Sequence, residues 1–200
     1  MAARLMLIAH AATSATRRAA FPLDEPIEGL ENIGPAQLRA GLWLSGPELR
    51  CRQTATALGH PPTVVDGFAD LDAGQWAGAE LGELMATDPQ SVMAWMTDVT
   101  AAPHGGDSMQ DLIKRVGTTL DRGALDGGPG SDAPWPDGLS VIVAAPMVIR
   151  AALVHLLVAP SSLLFAVDIE PLSATLVTGH RDRWKLRALL PWGRWDTSEP

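Results

Sequence analysis

Residues 139–158, LSVIVAAPMVIRAALVHLLV, decide the fold class of this chain. The first seven residues form a short, almost entirely apolar run, which predicts a fully buried strand. Pro146 follows at once. Because proline is tolerated in the first turn of a helix, a helix is expected to begin there. A buried strand that leads directly into a helix is typical of a largely parallel sheet covered by helices on both faces.

The rest of the chain continues this alternation of strands and helices. A helical pattern between residues 79 and 97 is interrupted before Pro89, because the residue before a proline disfavours helix, so two short helices are expected. Ser108 and Asp111 have the spacing of a capping box and mark the start of a further helix. Other strands are predicted at 4–9, 42–47 and 63–68, other helices at 36–42 and 48–59, and a hairpin at 173–179 and 183–190.

The composition limits the classes of function. The chain has 200 residues, of which 46% are hydrophobic and 19% are charged, and this suits one domain over residues 1–200. The formal net charge is −8 without a basic cluster, so nucleic acid is not an expected partner. No apolar run reaches the roughly 18 residues of a membrane helix, and a cytoplasmic location is expected. A single cysteine, Cys51, excludes an internal disulfide and a multi-cysteine zinc site.

Two segments are expected to be less ordered than the rest of the domain. Residues 126–138 are rich in glycine, proline and aspartate, and this composition predicts a mobile loop. The C-terminal tail is polar, and it is expected to fray.

A candidate site lies where the predicted strands end. The stretch LMLIAHAATSATRR, residues 5–18, places His10 directly after the first strand, and Asp70 and Ala145 also follow strand-like runs. In open α/β sheets, ligands bind beyond the carboxyl ends of the strands. His10 and Asp70 are therefore expected to lie near one another in a binding cleft.

The chain resembles the histidine phosphatase (phosphoglycerate mutase-like) superfamily almost from end to end. The resemblance rests on segments that follow one another in the family's order, which is more specific than any one motif. It implies a three-layer α/β/α sandwich and no metal or other cofactor. The segments are LIAHAAT at 7–13, LSGPELRCRQTATAL at 44–58, FADLDAGQWAG at 68–78, PHGGDSMQDLIKRV at 103–116 and VIVAAPMVIRAALVHLL at 141–157.

Residue by residue, the resemblance implies a site in which His10 is the nucleophile that carries the phosphoryl group. Arg50 takes the position of the second phosphate-binding arginine, and Asp70 that of the general acid. Nucleophilic catalysis of this kind divides one displacement into two easier steps. Further substrate-binding candidates are Thr13, Thr16 (at a family asparagine position), Arg17 and Asp107 (at a family glutamate position).

Two positions depart from the family pattern. Ala9 stands where the family has its first phosphate-binding arginine, and Ala145 stands where it has its second active-site histidine. Loss of one preorganised donor costs about 10²–10³ in rate, so two independent losses would cost roughly 10⁴–10⁶. Substitute cations are available in the sequence at Arg17, Arg18, His104 and His180.

The expected function is therefore that of a divergent member that acts on, or binds, a small phosphorylated or anionic metabolite with impaired phosphohistidine catalysis. An active protein would be a phosphomonoesterase or mutase-like hydrolase. Two alternatives remain open: a pseudophosphatase that serves as a binding module, and an enzyme that uses His10 with an aspartate for acid–base chemistry on another substrate. The sequence leaves oligomerisation and the identity of the substrate open.

Overall fold

A computed structural model describes residues 3–123, 135–180 and 183–195. Strands and helices alternate through most of these residues, as the sequence predicts. The strands are β1 (Ala3–Ala9), β2 (Leu42–Ser45), β3 (Thr63–Val64), β4 (Gly138–Ala144), β5 (Ala174–His180) and β6 (Arg183–Leu190). The helices are α1 (Ser14–Arg18), α2 (Leu49–Ala57), α3 (Leu81–Thr87), α4 (Pro89–Thr97), α5 (Met109–Arg122) and α6 (Pro146–Leu156).

The described strands form one sheet in the order β3-β2-β4-β1-β5-β6. The pairs β1–β4, β2–β4 and β2–β3 are parallel, and the hairpin β5–β6 joins β1 in antiparallel fashion. The carboxyl ends of β1, β2 and β4 consequently meet at one edge of the sheet. This mixed α/β sheet confirms the predicted fold class.

Hydrophobic residues pack on both faces of the sheet. In β1, Leu5 and Leu7 contribute to a core with α5 and α6, whereas Met6 and Ile8 contribute to a second core with α2. The alternation follows from the twofold periodicity of a strand. Since both faces are covered by helices, the result is the three-layer arrangement that the sequence predicts.

The predicted helix at 36–42 is wrong. This segment is irregular, and β2 begins at Leu42. The Ala36 N–H donates to Leu58 O (2.9 Å) and the Gly41 N–H donates to Leu139 O (3.0 Å), so its donors bind other parts of the chain instead of a helical ladder. The strand predicted at 63–68 is also too long, because a 3₁₀ turn replaces it at Asp66–Phe68.

The predicted helix boundaries elsewhere agree with the structure. Asp88 separates α3 from α4, and its side chain accepts from the Ser91 N–H. Ser108 and Asp111 form both hydrogen bonds of the capping box at the start of α5. No helix in the described part of the chain is long and apolar enough to cross a membrane.

The two segments predicted to be less ordered lie largely outside the described residues. Residues 126–134 of the predicted loop and residues 196–200 of the tail are outside the described residues. The last residues of the predicted loop are described, and Trp135 there is buried with its Nε1 donating to Leu120 O (2.9 Å).

Candidate functional site

His10 lies at the carboxyl edge of the sheet, directly after β1. Ala9 pairs with Ala144 in the parallel register between β1 and β4, and the His10 N–H donates to Ala144 O (3.1 Å). His10 is 5% exposed. The sheet thus holds its backbone between two central strands.

The imidazole of His10 has a defined orientation. Its Nδ1 lies 2.7 Å from Ala11 O, and because a carbonyl can only accept, Nδ1 carries the proton and Nε2 carries the lone pair in the neutral ring. The Ala11 N–H in turn donates to Thr54 Oγ1 (2.9 Å), and this hydroxyl donates to Arg50 O (2.7 Å). Helix α2 therefore supports the histidine through Ala11.

The surroundings of His10 favour the neutral form of its ring. Burial, and to a smaller extent the charge of Arg50, lowers the pKa of His10, although the hydrogen bond to Ala11 and the charges of Asp70 and Glu25 oppose this shift. A neutral ring with a free lone pair on Nε2 is the form that attacks an electrophile.

A cavity of about 430 Å³ opens beside His10. Its polar wall includes Thr13 and Thr16, which cap α1 by hydrogen bonding to one another. Asp70 also lines the cavity, whereas Arg50 is 2% exposed and is not part of the lining. The apolar part of the wall includes Phe21, Leu71, Leu81, Trp95, Met147 and Ile169.

Arg50 and Asp70 form a buried ion pair. Arg50 Nη2 donates to Asp70 Oδ2 (2.7 Å), and Arg50 Nη1 donates to Leu23 O (3.0 Å). The other oxygen of Asp70 accepts from the Leu71 N–H (2.8 Å). Both oxygens of Asp70 therefore accept hydrogen bonds from within the protein, one from Arg50 and one from the following peptide.

Arg150 is a cation of this cavity that sequence reasoning missed. It lies on α6, and its Nε donates to Val167 O (2.8 Å). Burial lowers the pKa of Arg150, and the charge of Asp168 opposes that effect. The segment VIRA at 148–151 was recognised as part of a motif, but nothing in the pattern shows that its arginine borders the cavity.

Three of the four substitute cations proposed from the sequence lie outside the cavity lining. Arg17 pairs with Glu28 and Arg18 pairs with Glu80, and both arginines are exposed. His104 is buried with its ring against Trp76, at 5.0 Å between the ring centroids. None of these three lines the cavity, and the side chain of His180 lies outside the described residues.

Asp107 is also outside the cavity lining. Its Oδ2 accepts from Arg115 Nη2 (2.9 Å) and from the Asp72 N–H (3.4 Å). The cap of α5 is Ser108, so Asp107 instead joins the loop before Gly74 to that helix. Within the described residues, no cluster of histidine, cysteine, aspartate and glutamate is suited to hold a metal ion.

The two alanines that depart from the family pattern flank His10. Ala9 and Ala145 are both 0% exposed. Ala9 pairs with Ala144 at the end of the β1–β4 register, and Ala145 is the next residue along the chain. Their methyl groups can neither donate a hydrogen bond nor carry a charge.

A family model described as histidine phosphatase superfamily (branch 1) matches residues 28–190. The chain belongs to this superfamily. The matched residues include α2, the segment around Asp70, and the β4–α6 unit, but they begin after His10. The superfamily assignment therefore rests on residues 28–190 and does not depend on the first motif at 7–13.

Several relatives in the superfamily come from mycobacteria and related organisms. A protein of Mycobacterium tuberculosis described as bifunctional is 28% identical over 134 residues, which are 60% of this chain and 36% of the relative. The match thus spans about a third of the length of that curated relative. A glucosyl-3-phosphoglycerate phosphatase of Mycolicibacterium vanbaalenii is 29% identical over 148 residues, which are 66% of each chain.

Solved structures of the superfamily match nearly the whole chain. A mycobacterial glucosyl-3-phosphoglycerate phosphatase in complex with VO3 has a TM-score of 0.76 and 26% identity, and the match covers 92% of this chain and 97% of that one. The alpha-ribazole phosphatase of Shigella flexneri has a TM-score of 0.74 at 19% identity, with 94% and 96% covered, and this likeness concerns the fold alone.

Proposed function

We propose that this chain binds a small phosphorylated or otherwise anionic metabolite in the cavity beside His10, and that phosphoryl transfer to His10 is strongly impaired. The relatives named as phosphatases support a phosphorylated or similar anionic ligand. The cavity is lined by His10, Thr13, Thr16 and Arg150. These groups suit the recognition of an anion.

The tautomer of His10 suits nucleophilic attack. Burial lowers the pKa of His10, and in the neutral ring the hydrogen bond from Nδ1 to Ala11 O leaves the lone pair on Nε2. Attack on phosphorus is thus not prevented by the protonation state of the ring.

The observation that carries the proposal is the replacement of the cations around this nucleophile. Ala9, which precedes His10, and Ala145, which follows the strand partner of Ala9, are both buried, and Arg50 is engaged by Asp70 and by Leu23 O. The charge that develops on the phosphoryl oxygens in the transition state therefore lacks the donors that the resemblance implies at positions 9 and 145, and preorganised donors of this kind supply much of the catalytic advantage.

Hydrolysis of 4-nitrophenyl phosphate tests the proposal against a mycobacterial glucosyl-3-phosphoglycerate phosphatase assayed in parallel. We expect a kcat/KM about 10⁴-fold or more below that of the relative, because two donors are absent. We also expect His10→Ala to change the residual rate less than threefold. If the rate is close to that of the relative and is lost in His10→Ala, phosphoryl transfer is intact.

The binding half of the proposal needs a separate measurement. Isothermal titration with phenyl phosphate should show saturable binding that His10→Ala weakens. Absence of binding by phenyl phosphate, by phenyl sulfate and by inorganic phosphate at millimolar concentration would contradict an anion-binding function.

A further inference from the structure

The described charged residues that line the cavity beside His10 leave one cation, Arg150, without an ion pair. The carboxylates of Glu25 and Asp168 lie close enough to act on His10 and Arg150 and to disfavour further negative charge. In the described lining, Arg150 is the permanent cation and Asp70 is the carboxylate, and the charge of Asp70 is offset by its ion pair with Arg50. His10 contributes a neutral ring, because burial lowers its pKa. A dianion would bring a second negative charge toward Asp70 with no further cation to oppose it.

Arg150 is held so that it can bind an anionic head group. The bond from its Nε to Val167 O (2.8 Å) fixes the guanidinium, and no group in the described residues pairs with its two terminal nitrogens. Asp168 is close enough to act on its charge without forming an ion pair. The free nitrogens of a fixed guanidinium match the paired oxygens of a carboxylate, a sulfate ester or a phosphodiester.

The remainder of the wall is apolar and partly rigid. Trp95 is 6% exposed, and its ring packs edge-on against Phe21, with 5.4 Å between the ring centroids. Leu71, Leu81, Met147 and Ile169 complete this surface. A ligand rich in hydroxyl groups would leave these groups without hydrogen-bond partners along the wall, whereas an aromatic or branched aliphatic body would bury apolar surface there.

We infer that the cavity takes an amphipathic monoanion, whose single negative charge lies against Arg150 and whose aromatic or branched aliphatic body packs against Trp95 and its apolar neighbours. This inference rests on the proposed function and makes its ligand class specific. It differs from a site for a sugar phosphate, because the charge is smaller and the body is apolar.

Titrations of the full chain at pH 8 with three probes distinguish the contribution of the ligand's charge from that of its apolar group. Phenyl sulfate is an aromatic monoanion, phenyl phosphate carries the same ring with two charges because its second pKa is about 6, and methyl sulfate has no ring. We expect phenyl sulfate to bind about fivefold or more tightly than phenyl phosphate, because each added charge lacks a partner. We expect it to bind about 30-fold more tightly than methyl sulfate, because a phenyl ring is buried.

Variants of Arg150 test the placement of the charged head. Arg150→Met should weaken phenyl sulfate about tenfold or more, and Arg150→Lys should weaken it less, because the charge remains while the paired geometry is lost. Arg52→Met removes an exposed arginine from α2 and is the matched control, with unchanged affinity expected. A melting temperature for each variant identifies any loss of fold, and Arg150→Lys still tests the inference where Arg150→Met does not fold.

The possible outcomes are distinct. Tighter binding of phenyl phosphate than of phenyl sulfate, equal binding of methyl sulfate and phenyl sulfate, or full affinity in folded variants of Arg150 would each overturn the inference while leaving an anion site in place. Absence of binding by all three probes would overturn both the inference and the proposed function.

Discussion

At the scale of single residues, the position of His10 depends on Thr54, a residue that does not line the cavity. Thr54 is 0% exposed, and its hydroxyl accepts from the Ala11 N–H while it donates to Arg50 O. The carbonyl of the same Ala11 residue accepts the Nδ1 proton of His10. One hydroxyl therefore connects α2 to the peptide that fixes the tautomer of the histidine.

Thr54→Val should reveal this connection. The substitution keeps the shape of the side chain but leaves the buried Ala11 N–H without an acceptor, which costs about 1–3 kcal/mol in the free energy of unfolding. Chemical denaturation measures the loss. Thr56→Val on the exposed side of α2 is the control, because Thr56 makes the same bond to the carbonyl four residues earlier but has no second partner. Equal effects of the two variants would refute the role given to Thr54.

The sequence predicts part of this site and misses the rest for a physical reason. His10 and Asp70 follow strand-like runs, and the topology of a parallel sheet brings such positions to one edge, whereas Thr13 is predicted only from the resemblance to the superfamily. The pairing of Arg50 with Asp70 depends on how α2 packs against a distant loop, and no local pattern contains that information. Arg150 was missed for a similar reason, since a helical segment of apolar residues does not reveal which neighbour its one arginine faces.

At the scale of secondary-structure elements, α5 and α6 approach closely at a glycine. A Cβ atom built on Gly117 would lie 2.4 Å from Nδ1 of His155, well inside contact distance. The His155 ring is also held by Asp121, with 2.8 Å between Nε2 and Oδ1, so it cannot move freely aside. The small residue in α5 is therefore what admits the histidine of α6.

Gly117→Ala should lower the free energy of unfolding by about 1–3 kcal/mol, because the added methyl group overpacks the contact. In the background of His155→Ala, the same substitution should stabilise the protein by up to about 1 kcal/mol, since alanine is the better helix former. Gly82→Ala in α3 is the control, because nothing lies within 4 Å of its Cβ position. If Gly117→Ala changes the free energy of unfolding in the same direction with and without His155→Ala, the proposed contact is contradicted.

The elements themselves were predicted well where a strong pattern coincides with a local signal. The break at Asp88 and the start of α5 at Ser108 are set by a proline and a capping box, which act within a few residues. The prediction of a helix at 36–42 failed because the apolar residues of this segment suit a helix or an irregular segment equally well. Its conformation is decided by hydrogen bonds to Leu58 O and Leu139 O, which belong to remote parts of the chain. Local signals therefore determine helix ends better than they determine short segments between elements.

At the scale of the whole molecule, two buried histidines link stability to pH. Burial lowers the pKa of His10 and of His104 below the ordinary value of 6.5. Nδ1 of His104 accepts from the Gly106 N–H (3.1 Å), so the native structure uses the neutral ring there as well. Protonation of either ring would oppose the folded state.

The sign of the effect follows from proton binding. Between the lowered pKa of the folded state and about 6.5, the unfolded chain binds more protons than the folded chain, so stability falls as the pH falls through this window. Each such proton contributes at most about 1.4 kcal/mol per pH unit to the slope. Above this window both forms are neutral, and the two histidines contribute no slope.

Denaturation curves from pH 8 to pH 5 test this linkage in His10→Asn, His104→Gln and the double variant. We expect each variant to lose less stability on acidification than the unmodified chain, and the double variant to lose least, because the two rings are separate sites. The comparison uses the slope of the free energy of unfolding against pH and not its value at pH 8, because the substitutions also change packing. Curves that run parallel to that of the unmodified chain throughout the range would show that neither histidine is kept neutral by the fold.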